Sequence, residues 1–171
     1  MPTKDANAEP SFRTMIQVDM EIASFLSNWA HCDYISSYLA RTISHNRPDS
    51  VLFSNLFSSA LNELLEVTFR TRHSGGALEC RLSRLGETDR IELTFACSRE
   101  EHTFLEAAIA RVQGADRQAR YLSSLSGDVA PSRDMMLLEL TVNYNATLRL
   151  EEVDGDTVTI VVDLPLGGLA N

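Results

Sequence analysis

Lysine is almost missing from this 171-residue chain: Lys4 is the single one, and the other basic side chains are arginines. That removes Schiff-base chemistry and any lysine-bearing phosphate loop. Positive charge as a whole is scarce, with 15 basic residues against 24 acidic for a net charge of −9. A surface of that sign argues against nucleic acid or an anionic membrane as partner, because both demand clustered positive charge. Cysteine is sparse too. Cys32, Cys80 and Cys97 are odd in number and form no CxxC pair, which reads as buried, reduced thiols in a cytosolic protein. No run approaches the roughly 18 apolar residues of a membrane span. The opening segment MPTKDANAEPSF carries no apolar stretch of the signal-peptide kind. The expected setting is cytoplasmic.

What the chain does have is an ordinary globular composition, 44% hydrophobic and 23% charged, enough for one domain with a sizeable core. Residues 1–11 read as a flexible arm and 12–171 as a single domain. FRTMIQVDM (12–20) has β-prone character. From Glu21 to about His45 the apolar residues Ile22, Phe25, Leu26, Trp29, Ile35, Leu39 and Ile43 recur at helical steps. Pro48, Asp49 and Ser50 then break the chain and offer helix caps.

A second helix is expected over about 50–72. Leu52, Leu56, Phe57, Ala60, Leu61, Leu64, Leu65 and Phe69 form its apolar stripe, with Asn55, Ser59, Asn62, Glu63, Glu66 and Arg70 opposite. His73 to Gly76 end it. The strands 77–85 and 89–97 suggest an antiparallel hairpin. Helix returns over about 99–113 and 115–125, a loop follows at 126–132, and a helix from Ser132 or Arg133 runs through Tyr144. Asn145 suits its left-handed C-cap. The turn Asp154-Gly155-Asp156 joins two last strands, 145–153 and 157–165, a strong hairpin signal. Helices grouped between hairpins predict an α/β two-layer sandwich: a mixed, mostly antiparallel sheet of about five strands covered on one face by helices. Regular βαβ alternation and a GxGxxG turn are both missing, which sets a Rossmann fold aside.

The segment ELLEVTFR, Glu63 through Arg70, carries a resemblance. It is similar to the nucleotide helix of the histidine-kinase-like ATPase superfamily, whose box reads Glu-x-x-x-Asn with a basic residue three positions later. Glu63 and Arg70 stand in the outer places, and Val67 holds the asparagine place. Over most of the chain the order of elements resembles stand-alone bacterial regulators of the SiaB-type serine kinase group. They share an aromatic-rich first helix, here WAHCDYISSYL (29–39). In such proteins the asparagine helps hold Mg²⁺, and valine has no oxygen to offer a hard cation. An adenine-binding aspartate followed by glycines is implied after Phe95, where this chain has Ala96, Cys97, Ser98 and Arg99. A GxG turn is implied before the last helix, where Asp134 and Met136 stand. An aspartate there would repel a phosphate chain, and the backbone approach that glycine allows is lost.

Three nucleotide features are therefore missing together. The resemblance then implies a degenerate ATPase domain with no cofactor, acting on a small regulatory protein of the switch or response-regulator type, with a homodimer also compatible. The docking surface is expected on the polar face of helix 50–72 and the 98–132 insertion, with Asn62, Glu66, Arg70, Arg117 and Arg120 as its residues. An active serine kinase binding Mg-ATP weakly through remodelled motifs is the first alternative. A phosphotransfer protein using His31 is the second.

The remaining polar residues read more plainly. Glu63, in the place of a general base, is expected to be solvated. The four histidines, His31, His45, His73 and His102, show no metal-ligand spacing. Trp29, Tyr34 and Tyr38 are expected to pack between helices. Glu100-Glu101 and Glu151-Glu152 read as solvated charge, and Arg117 and Arg120 as neighbours on one exposed helix face.

Overall fold

Alternation of apolar and polar residues builds the sheet. In the computed structural model, which describes residues 10–26, 28, 30–70, 76–127 and 133–168, five strands run in the spatial order β1-β2-β3-β5-β4. They are β1 (Arg13–Glu21), β2 (Ala77–Leu85), β3 (Thr88–Ala96), β4 (Thr147–Asp154) and β5 (Thr157–Leu164). Every neighbouring pair is antiparallel, so the sheet has no parallel component and its expected mixed character resolves to one sense. Leu78, Cys80 and Leu82 of β2 and Ile91, Leu93 and Phe95 of β3 point to the buried side. The intervening residues lie on the opposite face, where Arg90 grips Asp163 through two hydrogen bonds of 2.6 and 2.9 Å and Thr94 meets Thr159 at 2.8 Å.

Among the described residues six α-helices accompany the sheet: α1 (Ile22–Leu26), α2 (Ala30–Ser44), α3 (Ser50–Arg70), α4 (Arg99–Val112), α5 (Arg117–Leu125) and α6 (Arg133–Asn143). The continuous helix expected over 21–45 is two. α1 stops at Leu26, and His31 near the start of α2 reaches back so that Nδ1 lies 2.7 Å from the carbonyl oxygen of Ser24. Asn28 caps the new start, its Oδ1 accepting from the amide of Ala30 at 3.0 Å. Apolar spacing alone does not register such a break, because both halves keep the same buried side: Ile22, Phe25, Cys32 and Leu39 all belong to the core.

α3 is the central helix. Phe57, Ala60, Leu61, Leu64, Leu65 and Phe69 are buried in the same core as Leu93, Phe95, Leu148, Ile160 and Val162, as the stripe predicts. Four positions depart from it. Leu52 is 48% exposed, whereas Phe53 is buried, stacked on Phe57 with ring centroids 5.7 Å apart. Val67 and Thr68 are buried as well, because α2 and α6 both pack on α3 and widen the face it must hide.

Local chemistry fixes the ends. Gly86 turns β2 into β3 at φ +59°, a left-handed conformation that glycine enters without a Cβ penalty. Asn145 takes φ 50° after α6, as its C-cap role requires. Ser98 and Glu101 form a reciprocal capping box at the start of α4, each side chain accepting the other's amide at 3.2 Å. Glu101 is thus a capping residue rather than simply solvated charge. All three cysteines are free and buried. Burial pushes the Cys32 thiol up to about 11 and the Cys80 thiol to about 12, which leaves both protonated and poorly nucleophilic. The arm at 1–9, Trp29, the helix end at 71–75 and the loop at 128–132 lie outside the described residues. Within those residues no helix is long and apolar enough to cross a membrane.

Candidate functional site

The residues singled out on α3 divide between an acidic cluster facing α6 and the core. On α3, Asn62 Nδ2 donates to Glu66 Oε1 at 3.2 Å across one helical turn. Glu63 is half-buried beside them and faces α6, which supplies Glu139. Just past α6, Tyr144 is buried and hydrogen-bonded to Ser59 of α3. Asn143 completes the link, its Nδ2 lying 3.3 Å from both Glu139 Oε1 and the hydroxyl of Tyr121 on α5. Three carboxylates and two phenols therefore meet where α3, α5 and α6 converge.

The electrostatics follow from that crowding. Burial, and then the charges of Glu139 and Glu66, push the carboxyl of Glu63 from 4.5 up to about 8. One of its oxygens, Oε2, is buried without a hydrogen-bond partner. Burial and the charge of Glu63 also raise Tyr144 to about 12. Near neutral pH Glu63 is a largely protonated acid, able to hold or release a proton, and not the solvated anion expected from its place on the polar face.

Val67 is fully buried in the core, Cys97 nearly so, and Met136 is covered inside α6. Cys97 anchors a strand end instead, its amide donating to the carbonyl of Asp156 at 2.8 Å. Asp134, in the first turn of α6, accepts from Arg111 Nη2 of α4 at 2.8 Å, a favourable position for a carboxylate at a helix N-terminus. The side chain of Arg70 lies outside the described residues. Arg117 and Arg120 are half-buried rather than exposed. Arg120 donates to the backbone carbonyl of Arg111, satisfying one of the last carbonyls of α4. Tyr34 and Tyr38 do not pack between helices: they are 69% and 60% exposed on one side of α2. Among the described residues, no group of three or more His, Cys, Asp and Glu could hold a metal ion.

Glu139, Asn143, Tyr144 and Ser59 were not among the residues picked out by motif. A carboxylate and a phenol five residues apart at the end of a helix are common, and only the packing of α6 on α3 brings them to Glu63.

The shift of Glu63 has a measurable consequence. A carboxyl raised in the folded state stabilises below its ordinary value and loses that contribution as pH climbs through about 8. Glu63→Gln removes the titration. Discounted for the solvent that reaches a half-exposed side chain, the variant is expected to gain on the native chain by about 2 kcal/mol between pH 5 and pH 9. Melting curves of both proteins across that range test it; parallel profiles would refute the shift.

No known protein-family profile matches the chain, and no curated protein matches its sequence. Among solved structures, it is similar to a chain of the SiaB-SiaC complex from Pseudomonas aeruginosa, with a TM-score of 0.56 and 13% identity. The alignment covers 89% of this chain and 90% of that one. At that identity the likeness is one of fold.

Proposed function

We propose that this protein is a signalling regulator that works by binding another protein, on a histidine-kinase-like ATPase scaffold whose nucleotide chemistry is lost. The complete burial of Val67 carries the reading. The place where the superfamily presents an asparagine to Mg²⁺ here holds an apolar side chain sealed in the core. Asp134, at the place of the phosphate-facing glycines, is committed to Arg111 instead. The fold likeness to a chain of a two-protein complex supports a partner-binding role. A small regulatory protein of the switch or response-regulator type fits a scaffold or partner-switching function, docked on the Asn62–Glu66 side of α3 and on α5.

A second reading keeps catalysis. Glu63 occupies the general-base place and is pushed up to about 8, close to the range in which a carboxyl can accept a proton from a hydroxyl at neutral pH. An ATP-dependent serine kinase with remodelled motifs would use it. The His31 phosphotransfer alternative gains no such support: the ring's contacts, Nδ1 at the Ser24 carbonyl and an edge against Phe25, are those of a residue tying α1 to α2.

Calorimetry with Mg-ATP separates the first two. The regulator reading expects a dissociation constant no tighter than about 1 mM, or about 4 kcal/mol of binding free energy. A micromolar site that depends on magnesium would install the kinase reading. Capture from the native organism's lysate, with wild-type and Glu66→Arg baits side by side, tests the docking face. The partner should be lost from the variant and retained by His31→Ala.

A further inference from the structure

A second polar constellation lies at the other end of α3, away from the acidic cluster. The turn between α2 and α3, the start of β1 and the end of β2 enclose a cavity of about 200 Å³ lined by Arg13, Thr42, His45, Asn46, Arg47 and Arg84. Three arginines around one small cavity are conspicuous in a chain of net charge −9.

Their placement is built. Arg47 uses Nε and Nη2 on the two oxygens of Asp49, at 3.0 and 3.3 Å. Arg84 uses Nε on Asp89 at 2.7 Å and Nη2 on the carbonyl of Ile43 at 3.3 Å. Both guanidinium groups lie over the ring of Phe53, at 4.2 and 5.3 Å from its centroid. Carboxylates and ring together fix the two planes, and Nη1 of each makes no hydrogen bond within the described residues. Arg13 has no ion pair there either. The strand register sets it directly across from Arg84, a like-charge pair that costs stability when nothing lies between. An anion between them reverses the sign of that contact.

We infer that this pocket binds a phosphate-class oxyanion, bridged by Arg13 and the free Nη1 edges of Arg47 and Arg84, with His45 and Asn46 as further donors. Asp49 and Asp89 sit behind the arginines, engaged on their Nε sides, and orient them rather than fill the site. Arginine suits the ligand because its planar fork matches tetrahedral oxyanions and stays charged at any working pH. His45 also lines the neighbouring groove of about 340 Å³, together with Arg41, Ser50, Ser54 and Asn55. A phosphate carried as a monoester has room there for the rest of its molecule.

The test is titration calorimetry of the full chain at low salt with inorganic phosphate and with O-phosphoserine. Wild type should bind phosphate with a dissociation constant of about 1 mM or tighter, and Arg13→Gln should weaken it about tenfold. Arg13 is exposed and unpaired, so its replacement leaves the fold intact. Arg99→Gln, the same charge change at an exposed site on α4, should leave binding unchanged. Equal affinity for the two probes identifies the free ion as ligand, and tighter phosphoserine identifies a monoester; either supports the site. Lack of binding at about 20 mM, an unaltered Arg13→Gln, or equal weakening by both variants would overturn it.

Discussion

Leu64→Ala is expected to cost 2–5 kcal/mol of stability, on the order of a third of what a domain of this size possesses. Leu64 is completely buried near the middle of α3. It belongs to one core with Phe57 and Leu61 on the same helix and with Leu93, Phe95 and Ile160 of the sheet. Alanine keeps the helix, since its propensity is the better of the two. The loss is therefore all packing: the removed methyl groups, plus the cavity that helix and strands cannot close. Leu52→Ala, on the same helix but 48% exposed, should change stability by no more than about 0.5 kcal/mol. Denaturant unfolding of the two variants measures the difference directly. Similar losses at both sites would mean that α3 does not seat its Leu64 side on the sheet.

The contrast between Leu52 and Leu64 also shows how far the sequence could be read. Periodicity placed α3 within a few residues and put Leu61, Leu64, Leu65 and Phe69 on the buried side. It included Leu52 because a leucine one turn above Leu56 continues the stripe. Phe53 wins the core position instead, because the arginines at Arg47 and Arg84 cover its ring. That contact joins residues on either side of a turn to one at the far end of a strand, a separation no local pattern registers. The sheet was legible for a related reason. β3 alternates cleanly and β2 nearly so, whereas β5 is buried without a break from Val158 to Val162. Gly86 and the Asp154-Gly155-Asp156 segment mark the hairpins, while strand order beyond the hairpins is a tertiary outcome. The site residues divide along the same line. Glu63 and Val67 stood out through a motif at fixed spacing. Their environments, an acid pushed up by burial and then by the charges of Glu139 and Glu66, and a valine sealed in the core, follow from how α2 and α6 pack on α3. Arg13, Arg47 and Arg84 gave no motif at all. Only the register that sets Arg13 opposite Arg84 assembles them.

The ion pair behind that register is expected to be as sensitive as the core. Asp89 is wholly buried and Arg84, at 2.7 Å, is its charged partner. Burial raises the carboxyl of Asp89, and the hydrogen bond and charge of Arg84 oppose the rise without cancelling it. Arg84→Met keeps much of the aliphatic stem but strands the carboxylate, a change that costs about 3–5 kcal/mol for buried pairs. The pH dependence identifies the cause. Without Arg84 the folded-state value of Asp89 climbs further above 3.8. A carboxyl raised in the folded state stabilises most when protonated, so the variant should regain stability as pH falls from 7 towards 4.5. Adding Asp89→Asn removes the stranded charge. The double variant should recover most of the loss at pH 7 and lose the extra pH dependence, because a pair replaced at both ends no longer leaves an ion without a partner. Urea unfolding of the native chain, the single and the double variant at pH 7 and 4.5 completes the cycle. An Arg84→Met loss that is the same at both pH values and unaffected by Asp89→Asn would show that Arg84 acts through its packing on Phe53 and its bond to the Ile43 carbonyl, and that Asp89 is satisfied without it.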